Sequence, residues 1–183
     1  FICGGEESFG FMTGDFVRDK DSCGSILTAC EIAAWCKANG TTVYEYMIEI
    51  YKEVGFYYEG LINVVRKGRT GAEEITQMMS DFRSNPPKEI AGSPVEEVKD
   101  FKEQTGFGVS KTEKKGMDDI PKSNVLIFYT QDGTKVCVRP SGTEPKIKFY
   151  VSVKDSITSK EDFVAKLPKL EEKIAKVKQD LNL

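Results

Sequence analysis

Eight consecutive residues, Arg139-Pro140-Ser141-Gly142-Thr143-Glu144-Pro145-Lys146, gather an arginine, two hydroxyls, a glycine and a lysine. A phosphate dianion asks for such groups: a guanidinium that matches two oxygens, hydroxyl donors, and backbone N–H groups left open by a glycine. Two prolines would hold the loop in shape before a ligand arrives, which lowers the ordering cost. The stretch is not a Walker loop, because it lacks G-x-x-x-x-G-K and no helix follows. On residue types alone, a plain charged turn and a phosphate cradle both remain open.

Two segments near the start carry a different chemistry. In Gly5-Glu6-Glu7-Ser8-Phe9-Gly10, carboxylates and a hydroxyl sit on a glycine-bounded loop. They suit hydrogen bonds with sugar hydroxyls. Neighbouring Glu side chains point in different directions, so one ligand contact and one structural partner fit better than an acid/base pair. A solvated acidic turn is the alternative. Val17-Arg18-Asp19-Lys20-Asp21 alternates in charge, which normally marks a solvated loop. Its functional reading requires Lys20 to turn toward the first loop.

The elements that must position these loops follow from periodicity. Residues 1–4 read as the end of a buried strand, and residues 11–22 as polar and irregular. A helix is expected over 23–38, capped by Ser22, with Ile26, Cys30 and Ala33 on one face and Asn39-Gly40 as its stop. Thr42-Val43-Tyr44-Glu45 is a capping box for a second helix, with Val43, Met47, Ile50 and Val54 on one face. From Tyr57 to Arg66 the residues are strand formers. The change of texture places a domain boundary near 56. Thr70-Gly71-Ala72-Glu73 reads as another capping box, followed by Ile75, Met78, Met79 and Phe82 at helical spacing. Asn85-Pro86-Pro87 ends that helix.

Strand-like pieces are expected over 88–101, with Ile90, Val95 and Val98 buried. Residues 102–122 read as a mobile surface connection. The clearest hairpin joins Val125-Leu126-Ile127-Phe128-Tyr129 to Lys135-Val136-Cys137-Val138-Arg139 through Asp132-Gly133. The Arg139 loop then leads to a strand from Lys146 to Val153. Phe163, Leu167, Leu170, Ile174, Val177 and Leu181 form one helical stripe. Pro168 lies inside it, and an interior proline costs about 3 kcal/mol, so a kink or a short break is expected. Strands and helices in this order imply an α+β layer: a small antiparallel sheet with helices on one face.

Composition sets outer limits. The 183 residues carry 26 Lys+Arg against 29 Asp+Glu, a net charge of −3. No basic excess exists to neutralise a nucleic-acid backbone. No apolar run approaches a membrane span. Histidine is absent, which excludes imidazole mechanisms and His metal sites within this chain. Cys3, Cys23, Cys30, Cys36 and Cys137 contain no C-x-x-C pair and read as free thiols of a reducing cytosol. The apolar start Phe1-Ile2-Cys3-Gly4 suggests a chain cut from a larger protein.

Together these segments resemble the α-D-phosphohexomutase family, which includes phosphoglucomutase and phosphomannomutase. The Glu6 loop looks like the sugar-recognition loop of that family's third domain. Arg18-Asp19-Lys20-Asp21 looks like the charged segment after it. Arg139-Pro140-Ser141-Gly142-Thr143-Glu144-Pro145 looks like the phosphate-binding loop of the fourth domain. The resemblance implies residues 1–56 as the last strand and helices of an incomplete α/β third domain. It implies residues 57–183 as the TBP-like fourth domain.

The resemblance also implies an activity for the parent protein: a hexose 1-phosphate and the 6-phosphate are interconverted through a phosphoserine enzyme and a hexose 1,6-bisphosphate. Mg2+ assists from an Asp-rich loop. Neither the serine loop nor that metal loop occurs here, so the chain alone is expected to bind and not to catalyse. By resemblance, Glu6 and Ser8 contact sugar hydroxyls, Lys20 contacts substrate or moves a proton, and Arg139, Ser141, Gly142 and Thr143 grip the phosphate that is not being transferred. Partners implied are a phosphosugar and the missing N-terminal domains, in the cytoplasm, with neither nucleic acid nor membrane. One departure is Gly10, where bacterial phosphomannomutase-type loops often carry histidine. A free-standing phosphosugar-binding module and a phosphoglucosamine mutase are the alternatives.

Overall fold

Strict alternation of side chains builds the larger part of the molecule. In Lys146–Asp155 (β9), Ile147, Phe149, Val151 and Val153 are buried while the residues between them are not. β9 pairs antiparallel with Phe56–Val65 (β3) on one side and Lys135–Pro140 (β8) on the other. β8 continues the hairpin to Leu126–Thr130 (β7), with Leu126 opposite Val138 and Tyr129 opposite Lys135. Ser93–Asp100 (β5) follows, and both Glu89–Ile90 (β4) and Thr105–Phe107 (β6) pair with it. All pairings in this sheet are antiparallel, in the order β3-β9-β8-β7-β5-β4.

The computed structural model describes residues 1–6, 10–66, 68, 70–107 and 120–183. Two compact units emerge, Phe1–Val54 and Gly55–Leu183.

In the second unit the sheet's apolar face is covered by Gly71–Ser84 (α3) and Lys160–Asp180 (α4). Phe82 of α3 lies 5.9 Å from Phe128 and 6.0 Å from Phe149, ring centre to ring centre. Phe163 of α4 lies 4.8 Å from Phe56. Gly60 leaves room for Ile174, which a Cβ there would meet at 3.0 Å. Burying these rings is the main driving force, at about 25 cal/mol per Å² of apolar surface. The opposite face of the sheet carries Lys99, Tyr129, Lys135, Cys137, Arg139, Lys148 and Tyr150, by the same alternation. The α+β layer read from the sequence is the architecture found.

Details depart from expectation in α3 and α4. Thr70 precedes α3 with helical backbone angles (φ −79°, ψ −14°) and makes no capping bond. Its hydroxyl turns instead to Glu74, so the expected capping box with Glu73 does not form. α4 runs unbroken through Pro168, which is exposed. On that solvent side water can take the carbonyl that the proline leaves without an amide donor. β6 appears within the stretch expected to be a connection, whose residues 108–119 lie outside the described ones. Val95 is only half-buried, next to a bulge between Val95 and Glu97.

The first unit comprises a short hairpin and two helices. Cys3–Gly5 (β1) pairs antiparallel with Phe11–Thr13 (β2), so residues 11–13 are a strand and not irregular. The expected buried strand at the start is not observed: Phe1 is 74 % and Ile2 87 % exposed. Ser22–Ala38 (α1) is capped by Asp21 rather than Ser22, because the Asp21 carboxylate accepts from the Cys23 and Gly24 amides, both at 3.0 Å. Val43–Val54 (α2) does have its capping box: Thr42 N–H donates to Glu45 at 3.0 Å, and Glu45 N–H donates to the Thr42 hydroxyl at 3.1 Å. The expected faces are not buried in this unit. Ile26, Val43, Ile50 and Val54 are exposed, and among the described residues the buried apolar side chains are Cys36 and Ile48.

Candidate functional sites

The hairpin of the first unit brings two of the sequence-derived residues together. Gly5 pairs with Phe11, and the Glu6 N–H donates to the Gly10 carbonyl at 2.7 Å, which pinches the loop shut at its base. The Asp21 N–H then donates to the Phe11 carbonyl at 3.0 Å. That bond anchors the start of α1 against β2 and swings Lys20 over the hairpin. Lys20 Nζ lies 3.9 Å from Glu6 and 3.4 Å from Asp19. All three side chains are more than half exposed, so these pairs steer more than they stabilise. The amide and ammonium of Lys20 hold the Asp19 carboxyl below its ordinary range.

A cleft of about 360 Å³ opens between Glu6, Gly10, Arg18 and Lys20. Gly10 is buried, and a Cβ there would meet the Lys20 stem at 2.5 Å and the Glu6 carboxylate at 2.8 Å. A histidine at this position would require the Lys20 and Glu6 side chains to shift. Ser8 lies outside the described residues. The cleft thus presents a carboxylate acceptor and an ammonium donor side by side, the pairing that sugar hydroxyls use.

The second candidate site is the turn from β8 to β9. Ser141 N–H donates to the Lys146 carbonyl at 2.9 Å, and Lys146 N–H donates to the Glu144 carbonyl at 2.7 Å. These bonds close the neck of the loop. Inside it, the Ser141 hydroxyl accepts from the Thr143 amide at 3.4 Å and the Glu144 amide at 3.3 Å. Both bonds are long, so a stronger acceptor would displace the hydroxyl. Gly142 is exposed, and a Cβ there would touch nothing within 4 Å.

Charge is arranged unevenly around this loop. Lys146 pairs with Glu144 at 2.8 Å, and this partner holds the Glu144 carboxyl below its ordinary range. Arg139 is exposed and meets no acid among the described residues. Its cross-strand neighbour is another cation, Lys148. Like charges opposite each other on a sheet are unfavourable. Lys148 is a residue the sequence reading passed over; the signal was its place two residues beyond Lys146, on the same strand face. Cys137, between Lys135 and Arg139, has its thiol pushed up by burial, which outweighs the two cations. That disfavours the thiolate, the reactive form.

The five cysteines are free. Among the described residues no three acids or cysteines stand close enough to hold a metal ion. Among the described residues no helix is long and apolar enough to cross a membrane.

Residues 61–167 match the model for the phosphoglucomutase/phosphomannomutase C-terminal domain. Residues 1–54 match the model for the alpha/beta/alpha domain III of phosphoglucomutase/phosphomannomutase. A phosphoglucomutase of Staphylococcus aureus strain MRSA252 is 38 % identical over 149 residues, covering 81 % of this chain and 27 % of that protein. The phosphoglucomutase of strain N315 is 37 % identical over the same span. This chain therefore spans about a quarter of the length of the curated relatives it matches. The crystal structure of pp63/parafusin, a phosphoglucomutase from Paramecium in its open form, aligns over 95 % of this chain and 30 % of its own, at 19 % identity and a TM-score of 0.49. The chain belongs to the phosphoglucomutase/phosphomannomutase family.

Proposed function

We propose that this chain is the substrate-recognition portion of a cytoplasmic phosphohexomutase, an enzyme that interconverts a hexose 1-phosphate and the corresponding 6-phosphate. Residues 1–56 form the end of the third domain in this reading, and residues 57–183 form the fourth. The turn from β8 to β9 holds the phosphate that is not in transfer. Arg139 supplies two parallel N–H donors, and the Thr143 amide and hydroxyl, with the Ser141 hydroxyl and the Gly142 amide, complete the cradle. Lys148 adds a second cation. The Glu6 carboxylate and the Ser8 hydroxyl bind ring hydroxyls, and Lys20 donates to a substrate oxygen.

This division of labour suits the reaction. The two ends of the sugar exchange places through the 1,6-bisphosphate, so a fixed cradle must accept a phosphate at either end without reading the ring. The phosphoryl donor and the Mg2+ ligands belong to other parts of the complete protein, and the chain alone is inactive.

The observation that carries the reading is an arginine without an acidic partner among the described residues, at the mouth of a closed turn, on the segment matched to the family's C-terminal domain. The test is Arg139→Ala in the complete protein, assayed with glucose 1-phosphate. Losing a charge-assisted contact costs about 1.5–3 kcal/mol. KM is therefore expected to rise about 10- to 150-fold. Unchanged kinetics would remove the cradle from the mechanism. Comparing glucose, mannose and glucosamine 1-phosphates in the same assay identifies the preferred sugar.

A further inference from the structure

The phosphate cradle has a flank that neither Arg139 nor the loop itself explains. Pro145, its last residue, has no N–H, but its carbonyl accepts from the Arg66 N–H at 3.0 Å. This bond extends the β3–β9 ladder by one step past the Val65–Lys146 pair. It therefore ties the end of β3 directly to the loop. Residue 66 is itself tied down twice. Its guanidinium pairs with Glu74 of α3 at 3.4 Å, and the Thr70 hydroxyl donates to the same carboxylate at 3.4 Å. Its carbonyl is approached by Gly71, the buried first residue of α3.

That approach is closer than any side chain allows. A Cβ on Gly71 would lie 2.2 Å from the Arg66 carbonyl oxygen and 2.8 Å from the carbonyl carbon. Both atoms are backbone, so no rotamer change relieves the contact, and either α3 or residue 66 must move. We propose that Gly71 and the Arg66 backbone are positioning residues of the phosphate cradle: close packing of α3 on residue 66 sets the N–H that fixes the Pro145 carbonyl. The proposal rests on the phosphate-binding reading of the loop.

The coupling is reciprocal by thermodynamic necessity. If residue 66 positions the loop, a phosphosugar bound in the loop must hold the Arg66 amide more firmly. Two measurements on the complete protein test this. The first compares glucose 6-phosphate affinity, KM and kcat for Gly71→Ala, Arg66→Ala and Arg139→Ala. Gly71→Ala is expected to weaken binding about tenfold, within the usual range of coupling between sites, with KM moving more than kcat. Arg66→Ala keeps the N–H and is expected to stay within about twofold, as for an exposed ion pair. The second follows hydrogen–deuterium exchange at the Arg66 amide in the unaltered protein, with and without glucose 6-phosphate; exchange should slow on binding.

If Arg139→Ala leaves affinity intact, the phosphate reading itself falls. If Arg139→Ala weakens binding while Gly71→Ala and the Arg66 exchange rate show no change, the positioning role alone is overturned. A loss in Arg66→Ala as large as in Gly71→Ala would transfer the role from backbone to side chain and overturn the proposal as stated. Should Gly71→Ala fail to fold, the exchange measurement decides: slowing supports the proposal, and an unchanged rate refutes it.

Discussion

The two ends of β8 carry two turns of opposite character. At the β7 end, the polar side chains of Thr130, Asp132 and Thr134 all find partners within the protein. The Asp132 carboxylate accepts from the Thr130 hydroxyl at 2.6 Å, the Thr134 amide at 3.1 Å, the Thr134 hydroxyl at 2.9 Å and Lys173 at 2.6 Å. Its own N–H donates to the Ser93 hydroxyl at 3.1 Å. At the β9 end, Arg139 faces another cation across the strand, and the Ser141 hydroxyl serves two amides at long range. The first turn is complete without a ligand. The second holds donors in place and leaves them underused. Similar residue types therefore separate into a turn that closes on itself and a turn whose donors stay open, the one we propose to hold phosphate.

Substitutions at the two ends should separate cleanly. The largest effect is expected from Arg139→Ala. It should weaken glucose 6-phosphate binding about 10- to 150-fold and leave the melting temperature unchanged, measured by calorimetry and thermal denaturation. A fall in stability instead would make the two turns alike.

Asp132→Ala should do the reverse. Partial burial by itself would raise the Asp132 carboxyl, but Lys173 and the Thr130 and Thr134 donors together outweigh it and hold the group far below its ordinary range. Solvent reaches 40 % of the side chain, which trims the gain, so the expected loss is about 1–2 kcal/mol. A lowered carboxyl stabilises the fold fully above its unfolded value and loses that contribution as pH falls through the folded one. Unfolding of the native protein should thus become easier as pH drops below about 4, and Asp132→Asn should flatten that part of the pH profile. Denaturant titrations across pH check both points.

Paired glycine substitutions sharpen the contrast. Gly133 in the structural turn has φ +81°, where a side chain is strained, so Gly133→Ala should cost about 1 kcal/mol of stability. Gly142→Ala meets open space and should fold as well as the native chain, yet weaken phosphate binding severalfold because its amide is screened. The smallest effect is expected at Glu144. Glu144→Gln releases Lys146 and should tighten glucose 6-phosphate binding by about twofold, in line with an exposed ion pair.

The sequence exposed the β7–β8 hairpin because strong strand formers flank a turn dipeptide, and both signals agree. It exposed the α4 stripe for the same reason. The β1–β2 hairpin was hidden, since three-residue strands leave no period to read. Thr70 misled because its backbone is already helical and its hydroxyl donates to Glu74, the carboxylate that Arg66 also pairs with. α1 misled in a different way: apolar residues lie on every side of it, so no single buried face could be read, and Ile26, Cys30 and Ala33 are exposed in this unit. At the sites, residue types pointed to the Arg139 loop and to Glu6 with Lys20. What they did not reveal was Lys148, which depends on strand register, or the space around Gly10, which depends on where Lys20 lies.

The most direct test of the account is to titrate the isotope-labelled chain with glucose 6-phosphate and follow backbone amide resonances. The account predicts saturable shifts at Arg139 and residues 141–144, with residues 131–134 at the other end of β8 unmoved. Saturable binding that leaves 139–144 undisturbed would contradict it.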